Sequence, residues 1–192
     1  MRYLNSQEVI QMLAAIHPRD FYAIRDRSLV LLPLHTGLRV GELIKLNIGH
    51  VALNGIARQT LHVTSMIGKC RHERLVPLNA IARQIIESLV SFKANHGFSV
   101  AAHTPLFVTE TGTRIPIRAV QYVIARLRKR SGIDVMATPH TLRHTMLTNL
   151  VGKCGNVRVA QAIAGHKRLN TTQQYLHPSR EQLQAAVDQL VG

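Results

Sequence analysis

Arg143 falls where an arginine is hard to accommodate. The helix expected from Thr138-Pro139 onward carries Leu142, Met146, Leu147, Leu150 and Val151 on one broad arc, at about 100° per residue. Arg143 lies near the middle of that arc, and His140 lies one turn earlier at its edge. A charge directed into an apolar stripe costs several kcal/mol unless an anion meets it. Two readings are open. One is a buried salt bridge, in a chain with only 10 acidic residues; the other is a guanidinium aimed into a pocket that receives an anion, most simply a phosphate. A second arginine repeats the theme. Val40, Leu43, Ile44 and Leu46 share a face of a short helix that opens at Arg39, with Glu42 one turn on. A cation at a helix N-terminus opposes the macrodipole, so stability alone does not account for Arg39. Two forked donors could together clamp the non-bridging oxygens of one phosphate.

Three further positions are weaker when taken singly. Lys69 belongs to a Gly-Lys turn between two expected strands, where a lysine is normally just solvated. His166 follows Gly165 at a helix end, where a histidine often only answers the helix dipole. Tyr175, one of 4 tyrosines, precedes Pro178 and a final helix and by default is a packing residue. His140 and His144 have the i, i+4 spacing of metal ligands, but they lack the intervening Glu, and no carboxylate cluster accompanies them. No metal site or cofactor is implied.

The elements that must position these residues are mostly helical. Asn5 and Glu8 have capping-box spacing, and the helix after them should run to about Ile16. A second helix is expected over Asp20–His35, stopped at Gly37, and a third over Arg39–Leu46. The period then changes. Segments His50–Leu53, Gln59–Thr64 and Arg71–Pro77, separated by Asn54-Gly55 and Gly68-Lys69, read as a small antiparallel sheet of two or three strands. Helical period returns at Ala80–Ala94, Ile117–Arg130, Pro139–Val151, Val157–Ala164 and Arg180–Leu190. The last of these begins at a capping-box spacing, Ser179 to Gln182, and its stripe of Leu183, Ala186, Val187, Leu190 and Val191 must dock on something. The fold class is therefore α+β, a mostly helical single domain with a small sheet.

Composition narrows the partners. With 192 residues and 46% hydrophobic content, the chain can bury a core without disulfides or metal, and intrinsic disorder is excluded. No apolar run is long enough to span a membrane. Two cysteines, Cys70 and Cys154, suit a reducing cytoplasm. The formal net charge is +14, and the excess is clustered: six Lys/Arg and no acid from Arg114 to Arg130, and six more with no acid from Val135 to Arg180. A one-signed face of this extent points to a polyanion. An anionic membrane surface fits less well, because no Trp and only 4 Phe are present to anchor one.

In chain order these positions resemble the catalytic domain of the tyrosine recombinase (phage integrase) family. The matching segments are Thr36-Gly37-Leu38-Arg39-Val40-Gly41-Glu42-Leu43, Gly68-Lys69 with Glu73-Arg74-Leu75-Val76-Pro77-Leu78, His140-Thr141-Leu142-Arg143-His144, Gly165-His166, and Thr171-Thr172 with Tyr175 and His177. The resemblance implies that Tyr175 is the nucleophile that leaves a 3′-phosphotyrosyl bond. It implies that Arg39 and Arg143 bind the non-bridging oxygens, that Lys69 protonates the departing 5′-oxygen, and that His140 assists proton transfer from the tyrosine. His166 would hydrogen-bond the phosphate, and Glu42 would orient the pocket.

The implied activity is site-specific DNA cleavage and rejoining without metal or ATP. The implied partner is double-stranded DNA, with a homo-tetramer assembled on two sites and a monomer in its absence. Arg114, Arg118, Arg126, Arg128, Lys129, Arg130, Lys167 and Arg168 are the expected basic face toward DNA. The tail helix over 179–191 would dock on a neighbouring protomer, the alternative being that it folds back on its own domain. The family's usual N-terminal core-binding domain has no counterpart before the first helix, so residues 1–192 read as a catalytic domain alone, either excised or from a naturally short recombinase. A type IB topoisomerase shares the chemistry, and a DNA-binding regulator with decayed catalysis or a metal-dependent nuclease would be the alternatives.

Overall fold

The computed structural model describes residues 2–67 and 73–165. Helix α1 (Ser6–Ala14) starts at the expected box: the Glu8 N–H donates to Asn5 Oδ1 at 2.8 Å, and the Asn5 N–H donates to Glu8 Oε2 at 2.8 Å. Helix α2 (Ala23–Thr36) begins three residues later than the pattern suggested. A turn closed by the Asp20 N–H on the His17 carbonyl, at 3.0 Å, occupies the intervening residues. Helix α3 (Val40–Lys45) follows the left-handed Gly37.

The next segment departs from expectation. Residues Ile48–Val51 form the helical turn α4, and only Ala52–Leu53 is strand (β1). The cause is a long-range partner. The Ile48 N–H donates to Thr104 O at 3.0 Å and the Gly49 N–H to Ala102 O at 2.8 Å, which satisfies donors that a strand would have used in a ladder.

Strand β1 pairs with β2 (Ile56–Ala57) across Asn54-Gly55, whose φ values of 50° and 81° are the positive pair that a two-residue hairpin turn requires. A second hairpin pairs β3 (Thr60–Val63) with β4 (Arg74–Pro77) in the register Leu61↔Val76 and Val63↔Arg74. The expected single sheet is thus two separate two-stranded sheets. The Arg58 N–H bonds Val51 O at 2.8 Å and turns the chain between them.

Helices α5 (Ala80–Asn95), α6 (Ile117–Ser131), α7 (Pro139–Cys154) and α8 (Val157–Ala164) match their expected places. The α+β class and mostly helical body hold. Helix α2 is central, packed on α5 and α7, and half of its residues are buried. Helix α8 lies on α7 through Ala160 and Ala164 against Leu147 and Val151, side chains small enough to let the two backbones approach closely. Arg143 is located where this minor cluster meets the main core.

Candidate active site

Helices α2 and α8 both end in glycines with positive φ, Gly37 at 65° and Gly165 at 64°, and both present carbonyls that no helical N–H takes up. Arg143 is built into that arrangement. It is 1% exposed and donates to Gly37 O and, at 2.8 Å, to Ala164 O. These two hydrogen bonds go to the negative ends of two helix dipoles, which offsets part of the cost of burying the charge. Arg143 lines a cleft of about 330 Å³ together with Arg39, Glu42, Lys45 and His140. Ile44, Ile67, Ile117 and Pro139 contribute the apolar wall.

Arg39 is the N-cap of α3, and Glu42 resolves the dipole conflict seen in the sequence. The Glu42 carboxylate accepts the Arg39 backbone N–H at 2.8 Å and a longer bond from Arg39 Nη1 at 3.2 Å. Glu42 is 3% exposed, whereas the Arg39 side chain keeps 37% of its surface. Burial pushes the Glu42 carboxyl up. The hydrogen bonds from Arg74 and from the Arg39 backbone outweigh that, with the two positive charges adding to them, and they hold the carboxyl below the usual carboxylate range.

Arg74 is the residue that sequence reasoning passed over. Its Nη1 and Nη2 hold both Glu42 oxygens at 3.0 and 2.7 Å, and its Nε donates to Ile163 O at 2.8 Å. A signal was present: on a two-residue period Arg74 shares the inward face of β4 with Val76, so it had to find an anion inside.

His140, in the first turn of α7, opens to solvent on one side and to the cleft on the other. Partial desolvation of the ring, reinforced by the Arg143 and Arg39 charges, lowers its pKa below the ordinary histidine value. The neutral imidazole that results can accept a proton at neutral pH. Because the folded value is depressed, that form persists as pH falls through about 6.5 and is lost only below it. A pH profile of covalent cleavage should therefore keep its plateau to below pH 6.5, with an acid limb that disappears in His140→Gln. An acid limb centred well above that value would remove His140 from the proton path. His144, the other half of the i, i+4 pair, packs edge-on against the Tyr3 ring at 6.4 Å, away from the cleft.

Of the remaining expected site residues, Lys69, His166, Tyr175, Lys167 and Arg168, together with the 179–191 helix, lie outside the described residues. Their described neighbours in the chain belong to the site: Ile67 lines the cleft, and Gly165 packs against Arg74.

Two positions of the expected basic face have internal partners. Arg114 turns inward and donates to Ile44 O at 2.6 Å and to Asn47 Oδ1 at 2.6 Å, closing the end of α3. Arg126 pairs at 2.5 Å with Asp26, a carboxylate with 4% exposure that also holds Arg25. Both arginines answer internal acceptors, which charge counting cannot distinguish from a free surface. Arg118, Lys129 and Arg130 are exposed, and the half-buried Arg128 reaches the Met136 sulfur at 3.1 Å. Arg118 is next to Ile117 at the cleft. Lys129 lies at the other end of the 15-residue helix, about 16 Å along its axis.

Comparison with known proteins decides what this arrangement belongs to. The profile of the phage integrase family matches residues 2–182. This chain belongs to the phage integrase family. Among curated relatives, tyrosine recombinase XerC of Vibrio vulnificus is 33% identical over 187 residues, 97% of this chain and 56% of that protein. Tyrosine recombinase XerD of Halalkalibacterium halodurans is 29% identical over 181 residues, 94% of this chain and 58% of that one. The chain thus spans little more than half the length of these relatives. Among solved structures, XerA recombinase superposes with a TM-score of 0.77 at 28% identity, covering 100% of this chain and 66% of that one. XerH site-specific recombinase, solved bound to its difH substrate in a pre-cleavage complex, gives 0.75 at 25% identity, covering 96% and 53%. Family membership and these superpositions agree with the α+β fold class. No helix among the described residues is long and apolar enough to cross a membrane.

Proposed function

We propose that the chain carries the catalytic domain of a site-specific DNA recombinase that cuts and rejoins strands through a 3′-phosphotyrosyl intermediate. The observation that carries this reading is the convergence of Arg39, Arg143 and a neutral His140 on one cleft in a chain of net charge +14. A phosphodiester is an anion that gains charge at its non-bridging oxygens when attacked. Two fixed guanidiniums meet that charge in a partly desolvated site, where such donors are worth most.

In the proposed reaction the Tyr175 hydroxyl oxygen forms a bond to phosphorus while the bond to the 5′-oxygen breaks. The phenolic proton passes to His140 and the 5′-oxygen takes a proton from Lys69, with His166 hydrogen-bonded to the phosphate. One ester replaces another, so the bond energy is retained and rejoining needs no ATP. A phenol with pKa near 10 serves both as nucleophile and, on reversal, as leaving group. The partner is double-stranded DNA in the cytoplasm of a prokaryote, and the working assembly is a tetramer on two sites with the 179–191 helix reaching a neighbouring protomer. Arg118, Lys129 and Arg130 supply exposed positive charge toward the duplex.

The test is a nicked suicide duplex, enriched from a randomised pool on the immobilised chain and incubated with the full chain in excess EDTA. A covalent adduct that survives SDS supports the recombinase reading. Cutting that needs an added divalent ion points to a nuclease, and binding without an adduct points to a regulator; either result overturns the proposal. Binding should also weaken steeply with salt, with a log–log slope of several units.

A further inference from the structure

Glu42 is one buried carboxylate shared by two arginines, and the sharing is unequal. Arg74 takes both oxygens in a fork at 2.7 and 3.0 Å, while the Arg39 side chain makes one longer contact at 3.2 Å. The exposures follow the same order: the Arg74 side chain is 9% exposed and that of Arg39 37%. Planar two-point pairing with a carboxylate is the strongest form of this interaction, so Arg74 satisfies most of what Glu42 needs. Arg74 is itself immobilised. Its Nε bonds Ile163 O, and its Cδ and Nη1 press against Gly165 so closely that a Cβ there would lie 3.1 Å from each. The adjacent carbonyl, Ala164 O, is held by Arg143. Two arginines therefore grip consecutive carbonyls at the end of α8, one of them lining the cleft and the other behind it.

We propose that Arg74 is a positioning residue for phosphate cleavage: by occupying Glu42 it leaves the Arg39 guanidinium directed into the cleft and available to the substrate anion. The inference rests on the recombinase reading above. Without Arg74, the buried carboxylate keeps Arg39 as its one charged partner among the described residues. Glu42 then draws that guanidinium inward, away from the phosphate. The competition has a specific consequence. Removing the charge of Glu42 as well should release Arg39 again, and a glutamine there can still accept the Arg39 backbone N–H and keep the cap.

The test measures single-turnover adduct formation by the full chain on the suicide duplex at saturating DNA, with affinity and thermal unfolding read in parallel. Arg74→Met should cleave about 100-fold more slowly, the scale of a modest misplacement of a charge-stabilising group. Its affinity for the duplex should stay within about threefold, because the exposed cations are untouched. Arg74→Met combined with Glu42→Gln should recover at least about tenfold of that loss, a non-additive result that a purely structural role does not produce. If Arg74→Met fails to fold, Arg74→Lys keeps the charge but cannot span both oxygens and Ile163, and should still lose about tenfold. Wild-type rates in the variant that folds, or a double variant no faster than Arg74→Met, would overturn the inference. No adduct from the unaltered chain would instead overturn the recombinase reading itself.

Discussion

Tyr175→Phe is expected to bind a duplex site as well as the unaltered chain does and to form no covalent adduct at all. The change removes one oxygen and leaves the ring and the net charge, so only the proposed attacking atom is gone. The other 3 tyrosines offer no substitute. Tyr3 packs on His144, Tyr22 lies beneath the Arg25 guanidinium at 3.9 Å, and Tyr122 is 69% exposed on α6. None of the three lines the cleft. An SDS-resistant adduct from Tyr175→Phe, mapped by mass spectrometry to another residue, would show that the nucleophile has been misassigned.

The second large effect is expected at Arg143. Arg143→Ala should slow adduct formation by about 100-fold or more, as for loss of other charge-stabilising donors. It should also destabilise the fold, because the carbonyls of Gly37 and Ala164 lose their partner in the interior. Each buried acceptor left unmet costs roughly 1–3 kcal/mol, so the unfolding midpoint should drop measurably. Arg39→Ala should cost a similar factor in rate with little change in midpoint, since its side chain is partly open to solvent. The contrast separates two roles that kinetics alone would merge. If Arg143→Ala cleaves at the wild-type rate in the temperature range where it is folded, its guanidinium serves only to join α2, α7 and α8.

Elements defined by near neighbours were legible from the residues alone. The Asn5–Glu8 box, the Thr138-Pro139 start of α7, the Asn54-Gly55 turn and the glycine stops after α2 and α8 all appear as expected. Each depends on contacts within about four positions, and capping, dihedral preference and periodicity act over that range. The same locality made Arg143 conspicuous, since a charge on an apolar stripe is a local contradiction.

Where the reading failed, the partner was distant in sequence. The turn at 48–51 opens with the Ile48 and Gly49 N–H groups bonded to the distant carbonyls of Thr104 and Ala102. Charge alone does not show that Arg114 closes α3 or that Arg126 meets Asp26, a hundred positions away in sequence. Arg74 went unassigned because Glu42, 32 residues earlier, becomes its partner only after the hairpin folds back.

The residue types, their order along the chain and the chemistry they permit were thus determined by the sequence itself. Among the described residues, the tertiary structure alone decided which cations line the cleft or stay exposed and which answer an internal carboxylate or carbonyl. Charge is a property of a residue, but its availability depends on whichever acceptor folding brings within hydrogen-bonding distance.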